Sequence, residues 1–242
     1  MRKDGPASFF RATSRAFGDT VAARRNQADL VGALCAQAFD LFEKNVVIQA
    51  EGAPAIACHG ECAACCRLRV VATAPEVFLL ARFVDVNAPA FEARGIDLPR
   101  RIAEAAKAVG SLDEASRLAA KHYCPLIEKD LCLAYRLRPL ACRGHAALDK
   151  LACISAADGE GDEATVSTPH LVVRSLVQNA MMNAMRQSGL AWGLYEITKA
   201  LEIALRAPAA IESWLGGEDP LSPALIAEFD LGEAAALFDG IA

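Results

Sequence analysis

The chain has 242 residues, 54% of them apolar, nine cysteines and a formal charge of -5. A mildly acidic field argues against nucleic acid as a partner, because phosphate neutralisation needs a basic surface. No run approaches the roughly 20 apolar residues that cross a bilayer, so the expectation is a soluble, cytosolic protein without a membrane partner.

Residues 1–27 carry Arg2, Lys3, Arg11, Arg15, Arg24 and Arg25 against Asp4 and Asp19. They lack the continuous apolar stretch of a secretory signal and read as a basic arm or frayed helix, with an arginine-rich transit peptide as the alternative. From Asp29 to Ala50 the apolar residues Leu30, Leu34, Ala38, Leu41 and Phe42 recur at helical spacing, which places Cys35 on a buried or half-buried face. The segment from Ala53 to Arg69 breaks that pattern with glycine, proline and four cysteines, and reads as a compact loop. Thr73 and Glu76 form a capping box around Pro75, so a helix is expected from Thr73 to about Val86. A connection over 87–99 leads to an alanine-rich helix from Arg100 to Lys121, interrupted near Gly110.

The residues from Leu131 to Ala141 have room for one short helix. The stretch from Ala156 to Thr168 is rich in Gly, Asp, Glu and Ser and reads as a surface loop. Thr168 as N-cap and Pro169 in the first turn open a long helix ending near Gly189. Its Met181, Met182 and Met185 sit among apolar neighbours and read as core rather than as a soft-metal site. A further helix covers Leu194 to Arg206. Weaker helical stretches follow around Pro223 to Phe229 and Glu233 to Phe238, after a break at Gly216-Gly217. With no convincing strand pair, the expected fold is all-α, an irregular helical domain with a cysteine and metal cluster built on loops. Its parts are 1–50 (arm and helix), 51–157 (cysteine region) and 158–242 (helices packing on it).

Eight of the nine cysteines fall within the 96 residues from Cys58 to Cys153. Small core residues would be scattered, and a reducing compartment disfavours a disulfide framework, so clustered thiols point to metal. The first half is Cys58-x3-Cys62-x2-Cys65-Cys66, short enough for one loop to wrap a metal with sulfurs about 2.3 Å away. The second is Cys124-x7-Cys132-x9-Cys142-x10-Cys153, and 57 residues separate the halves. Intervening helices must therefore fold back, with the metal stapling loops that lack a core of their own. Four thiolates around zinc or a cubane leave negative charge to balance. Arg67, Arg69, Arg136, Arg138 and Arg143 lie within four residues of a cluster cysteine, and Arg143 and Arg136 are the first candidates to supply that balance. Tyr135 is a candidate hydrogen-bonding neighbour. His59, His122 and His145 are close in sequence to cluster cysteines, but with eight thiols available they read as non-ligating, and His170 as structural.

The string Cys58-x3-Cys62-x2-Cys65-Cys66, then Cys124-Pro125-Leu126, then Cys132-x2-Tyr135-x2-Arg138-Pro139-x2-Cys142-Arg143 resembles the bacterial cysteine-cluster family of the YkgJ type. The resemblance spans about residues 58–153 and implies a zinc- or iron-chelating domain. The family's first gap is commonly two residues where this chain has three. Gly144-His145 stands where many members continue toward an aromatic-proline pair. Members have been labelled iron–sulfur oxidoreductases, and flagellin lysine methylases carry a similar cysteine pattern. The first three cysteines also have the spacing of radical enzymes that use S-adenosylmethionine, but no alternating strand–helix pattern accompanies them, so that membership is rejected.

All eight clustered cysteines are therefore candidate ligands for an iron–sulfur cluster, of [4Fe-4S] type, with zinc as the alternative. Three readings follow. One is a metal protein with a structural, redox or iron-handling role. Another is an iron–sulfur enzyme, oxidoreductase or methyl-transferring. The third is a zinc-stapled helical interaction module. A glycine-rich phosphate loop and a nucleophile–base pair outside the cysteine region are both missing from the sequence.

Overall fold

The computed structural model describes residues 5–160 and 164–241. Arg2, Lys3 and Asp4 of the expected arm, and Gly161, Asp162 and Glu163 of the expected loop, lie outside the described residues. The fold is all-α. Its first helix, α1 (Pro6–Arg24), buries Phe10, Thr13, Ser14, Phe17 and Val21 along one side. What reads in sequence as a basic arm or frayed helix is thus a core helix over Pro6–Arg24. Two of these five inward residues carry hydroxyls, so hydropathy underestimates the stripe, while Arg11 and Arg15 stay exposed on the other side.

Helix α2 (Leu30–Gln49) carries the expected apolar stripe, with Cys35 fully buried among Leu34, Ala38 and Phe39. The loop that follows contains a 3-10 turn at Ala64–Arg67 and leads into strand β1 (Val71–Ala72). Helix α3 (Ala74–Glu92) starts at the expected capping box of Thr73 and Glu76 but runs past Val86 and through Pro89. A proline this close to a helix end removes a single intrahelical bond, so the last turn survives. Gly110 separates α4 (Leu98–Val109) from α5 (Glu114–Ala119), as the sequence suggests, with Asp97 and Asp113 accepting the capping amides of Arg100 and Ser116.

The second cysteine segment departs most from expectation. In place of one short helix it contains the hairpin β2 (Ile127–Glu128) and β3 (Leu131–Cys132), a 3-10 turn at Tyr135–Leu137 and helix α6 (Leu140–Gly144). Lys129 and Asp130 both take positive φ, 49° and 64°, which closes the hairpin in two residues. Strand β1 pairs antiparallel with β4 (Tyr195–Glu196). Two-residue strands have no period to detect, which is why both pairs escape a sequence reading. An unexpected helix, α7 (Lys150–Asp158), is capped by Asp149 and takes the start of the expected loop.

Helix α8 (Thr168–Gln187) forms as expected except at its cap, where Ser167 and not Thr168 holds the position and Thr168 is the first helical residue. It packs against α1, α2 and α6, and buries Met181, Met182 and Met185 completely. Helix α9 (Ile197–Arg206) lies against α3 and α4. Helices α10 (Ala210–Leu215) and α11 (Leu231–Ile241) close the core with Trp214 and Phe238. Among the described residues no helix is long and apolar enough to cross a membrane.

Candidate metal centre

Each cluster cysteine is placed by a different local device. Ala57 donates its amide to the Ala147 carbonyl at 2.8 Å, and the Ala147 amide points back at Cys58 Sγ, 3.1 Å away. Cys62 follows a turn in which its amide donates to the His59 carbonyl. Cys65 and Cys66 share the 3-10 turn after it. The two halves of the motif are joined directly, because the Cys124 amide donates to the Cys66 carbonyl at 2.8 Å. Pairing of Cys132 with Ile127 in the β2–β3 hairpin carries Cys132 back beside Cys124. Cys142 sits in α6 and Cys153 in α7, which packs on the turn holding Cys65 and Cys66.

All eight thiols line one cavity of about 450 Å³. They are free of disulfides, as is Cys35, which lies apart in the helical core. Among the described residues no three His, Cys, Asp or Glu side chains are drawn in around a single ion. The donor chemistry is nonetheless well defined: a soft, sulfur-rich lining suits zinc or iron and not the oxygen-seeking calcium or magnesium.

The thiols influence one another in two groups. Burial raises the Cys153 thiol to about 11, with Cys65, Cys58 and Cys62 adding to the effect. Burial raises Cys124 to about 12, helped by Cys132. It pushes Cys142 well up, with Cys124, Cys65 and Cys132 as neighbours. Between the groups, the Cys66 thiol donates to Cys65, which holds Cys65 below the ordinary cysteine value and Cys66 above it. Cys65 thus links the two groups, acting on Cys58 and Cys153 in one and on Cys132 and Cys142 in the other, while Cys66 feels Cys124 and Cys142. Buried thiols with raised pKa hold their protons, so a bound metal must displace them.

The arginines divide by role. Arg138 is the cation that acts on four of the sulfurs: burial raises Cys58, Cys132 and Cys142, its charge opposes that rise, and it adds to the Cys66 hydrogen bond in lowering Cys65. It lies 3.9 Å above the Tyr135 ring and donates to the Tyr135 carbonyl, so Tyr135 serves as its platform. Arg143 is a brace. It stacks on Phe39 at 4.0 Å and donates to the carbonyls of Arg138 and Arg136 at 2.9 and 2.6 Å. Arg136 contributes that carbonyl, while its side chain is exposed. Arg67 turns to Asp158 and Tyr123, and Arg69 to Glu228 at 2.9 Å. His122 lies outside the cavity wall, its Nδ1 donating to the Tyr123 carbonyl at 2.9 Å, whereas His59, His145 and His170 line it. His170 is held by Ser167 at 2.7 Å and lies edge-on to Phe42.

Two residues are central here beyond what the sequence showed: Glu76 was legible only as half of a capping box, and Arg174 not at all. Glu76, 1% exposed, accepts from the amide and hydroxyl of Thr73 and from the Leu140 amide, joining the starts of α3 and α6. Its second partner lies 64 residues away, so no local pattern reveals it. Arg174 reaches the cavity from α8 across Gly144.

No curated protein and no solved structure matches the chain. Residues 57–158 match the family model CxxCxxCC, described as "Putative zinc- or iron-chelating domain". The match begins one residue before Cys58 and ends at the last residue of α7, so it takes in all eight cavity thiols. That segment of the chain is similar to the CxxCxxCC family.

Proposed function

We propose that residues 57–158 hold an iron–sulfur cluster, and that the protein uses it for redox chemistry or iron handling beside a ligand-sized cavity. The observation that carries this reading is the convergence of eight thiols, from both halves of the motif, on one cavity. A space of about 450 Å³ suits a multi-atom inorganic group, whereas a zinc ion would pull four sulfurs onto a single point. When bound, such a cluster supplies one-electron chemistry and, if one iron is open, a Lewis-acidic position.

The chain's own residues supply the rest. Arg138, fixed by Tyr135, offsets thiolate charge. The Ala147 amide is aimed at Cys58 and stabilises a deprotonated sulfur there. Arg143 and Glu76 hold α6, and with it Cys142, at a set position. The cavity's apolar walls, which include Leu68, Val70 and Leu126, limit water around the sulfurs. Reduced thiols of this kind fit a reducing compartment such as the cytoplasm.

Iron, zinc and acid-labile sulfide should be measured, with an absorption spectrum, on protein purified without oxygen. About four irons and four sulfides per chain, in a brown protein, is the expected result for one cubane. A colourless protein with one or two zincs and no sulfide would overturn the iron–sulfur reading and leave zinc as a staple between loops.

A further inference from the structure

We propose that the cavity beside the thiols binds a small organic carboxylate, gripped by Arg174. The inference rests on the reading of the thiols as a metal site, and adds the class of ligand that would meet it.

Arg174 lines the cavity from α8, and its Nε is buried without a hydrogen-bond partner. No ion pair among the described residues includes it. Glu76 is the carboxylate whose charge reaches it, and Glu76 is already engaged by Thr73 and Leu140. A half-buried guanidinium without a counter-charge is costly, so the fold maintains it against a penalty. The backbone makes room for it. A Cβ on Gly144 would fall 2.6 Å from Arg174 Cγ and 2.7 Å from its Cβ, so only glycine lets this side chain cross α6.

The crossing packs the Arg174 side chain against Gly144, the residue before His145, whose carbonyl in turn lies 3.9 Å from Cys58 Sγ. The cationic end of the cavity is thus one residue away from the sulfur lining. Apolar Ile56, Leu68 and Leu171 line the same cavity and would suit a hydrocarbon body. Balancing the thiolates is already the part of Arg138, whereas the charge of Arg174 acts on His145 and Glu76. Among anions, the planar fork of a guanidinium pairs with a carboxylate through two parallel hydrogen bonds. A carboxylate brings one negative charge to a wall of thiolates, where a phosphate would bring nearly two.

The test is saturation-transfer NMR on the full, metal-loaded chain with butyrate, its uncharged amide butyramide, and inorganic phosphate as competitor. Metal content is measured on each sample. Butyrate should give signal where butyramide does not, and Arg174→Gln should weaken it about tenfold, as loss of one charge-assisted pair implies. Metal content should stay at the wild-type value. Gly144→Ala, which keeps the guanidinium but displaces it, should weaken butyrate similarly.

Equal binding of butyrate and butyramide would overturn the proposal, as would undiminished binding by Arg174→Gln. Displacement of butyrate by phosphate at lower concentration than by further carboxylate would overturn the carboxylate assignment. Loss of metal from Arg174→Gln would make Arg174 a partner of the metal instead. A wild-type protein without metal that still binds butyrate through Arg174 would sink the metal reading alone and leave this one standing.

Discussion

Leu140 donates its amide to Glu76 Oε1 at 2.6 Å, and through that bond one buried carboxylate serves the N-termini of two helices. The first-turn amides of any helix lack intrahelical acceptors. Glu76 satisfies one in α6 with one oxygen and closes the α3 capping box with the other. Cys142 lies two residues beyond Leu140, so the position of a cavity thiol depends on a residue in a different helix.

Glu76→Gln should therefore destabilise the protein by about 1–3 kcal/mol, because an amide group replaces one of two accepting oxygens and leaves a buried donor unmatched. The pH dependence has a definite sign. Burial outweighs the three hydrogen bonds and Arg143, and raises the carboxyl above the usual glutamate range. A raised carboxyl contributes its stability in full below the ordinary value, and loses it as pH rises through the folded value. The stability gap between wild type and variant, read by urea unfolding, should be widest at low pH and shrink as pH rises.

Cys35→Ala should leave the metal content unchanged, and Cys142→Ala should lower it. Cys35 is fully buried between helices, outside the cavity, whereas Cys142 faces it. Metal analysis of the two purified variants checks this directly. Equal metal loss in both would mean that general destabilisation, not ligand removal, governs retention.

The cysteine lining was legible because spacing is a local property that survives without any knowledge of the fold. The long helices α2, α8 and α9 were legible for the same reason, since their stripes repeat every turn. Features set by residues far apart were not. Arg143 and Arg138 both follow the motif closely, but only packing against Phe39 and Tyr135 decides that one braces while the other faces the sulfurs. Arg174 owes its place to the missing side chain of Gly144, a steric relation across 30 residues. Helix α1 was obscured because Thr13 and Ser14 fill inward positions that hydropathy scores as polar.

Arg143→Lys should cost about 2 kcal/mol and reduce metal retention, because a lysine cannot bridge two carbonyls and stack on Phe39 at once. Glu43→Gln should cost much less. Arg143 is 5% exposed but the Glu43 side chain is 66% exposed, so solvent screens that pair to within about 1 kcal/mol. Chemical denaturation of the two variants orders the effects. A larger loss from Glu43→Gln would show that the ion pair, and not the carbonyl contacts, fixes α6.

Met182→Leu should change stability by less than about 1.5 kcal/mol and leave metal content unaltered, as a volume-conserving swap in a packed core does. Met181, Met182 and Met185 are fully buried in α8 within the helical core, away from the cavity wall. Metal loss from this variant would reopen a thioether role.

Removal of the metal by a chelator should loosen the cysteine segments before the rest of the fold. In the loop over 53–69, Ala63 is the buried apolar residue and the others are half-buried or exposed. Most backbone there is not in helix or sheet, so little besides the metal would hold it. The α1, α2 and α8 core is different: Phe17, Leu34 and Met181 are fully buried and owe nothing to the thiols. Amide hydrogen exchange with and without metal should therefore accelerate strongly in 57–69 and 124–153, while the α8 amides keep their protection. Uniform acceleration across the chain would mean instead that metal binding and folding of the whole helical core are a single cooperative event.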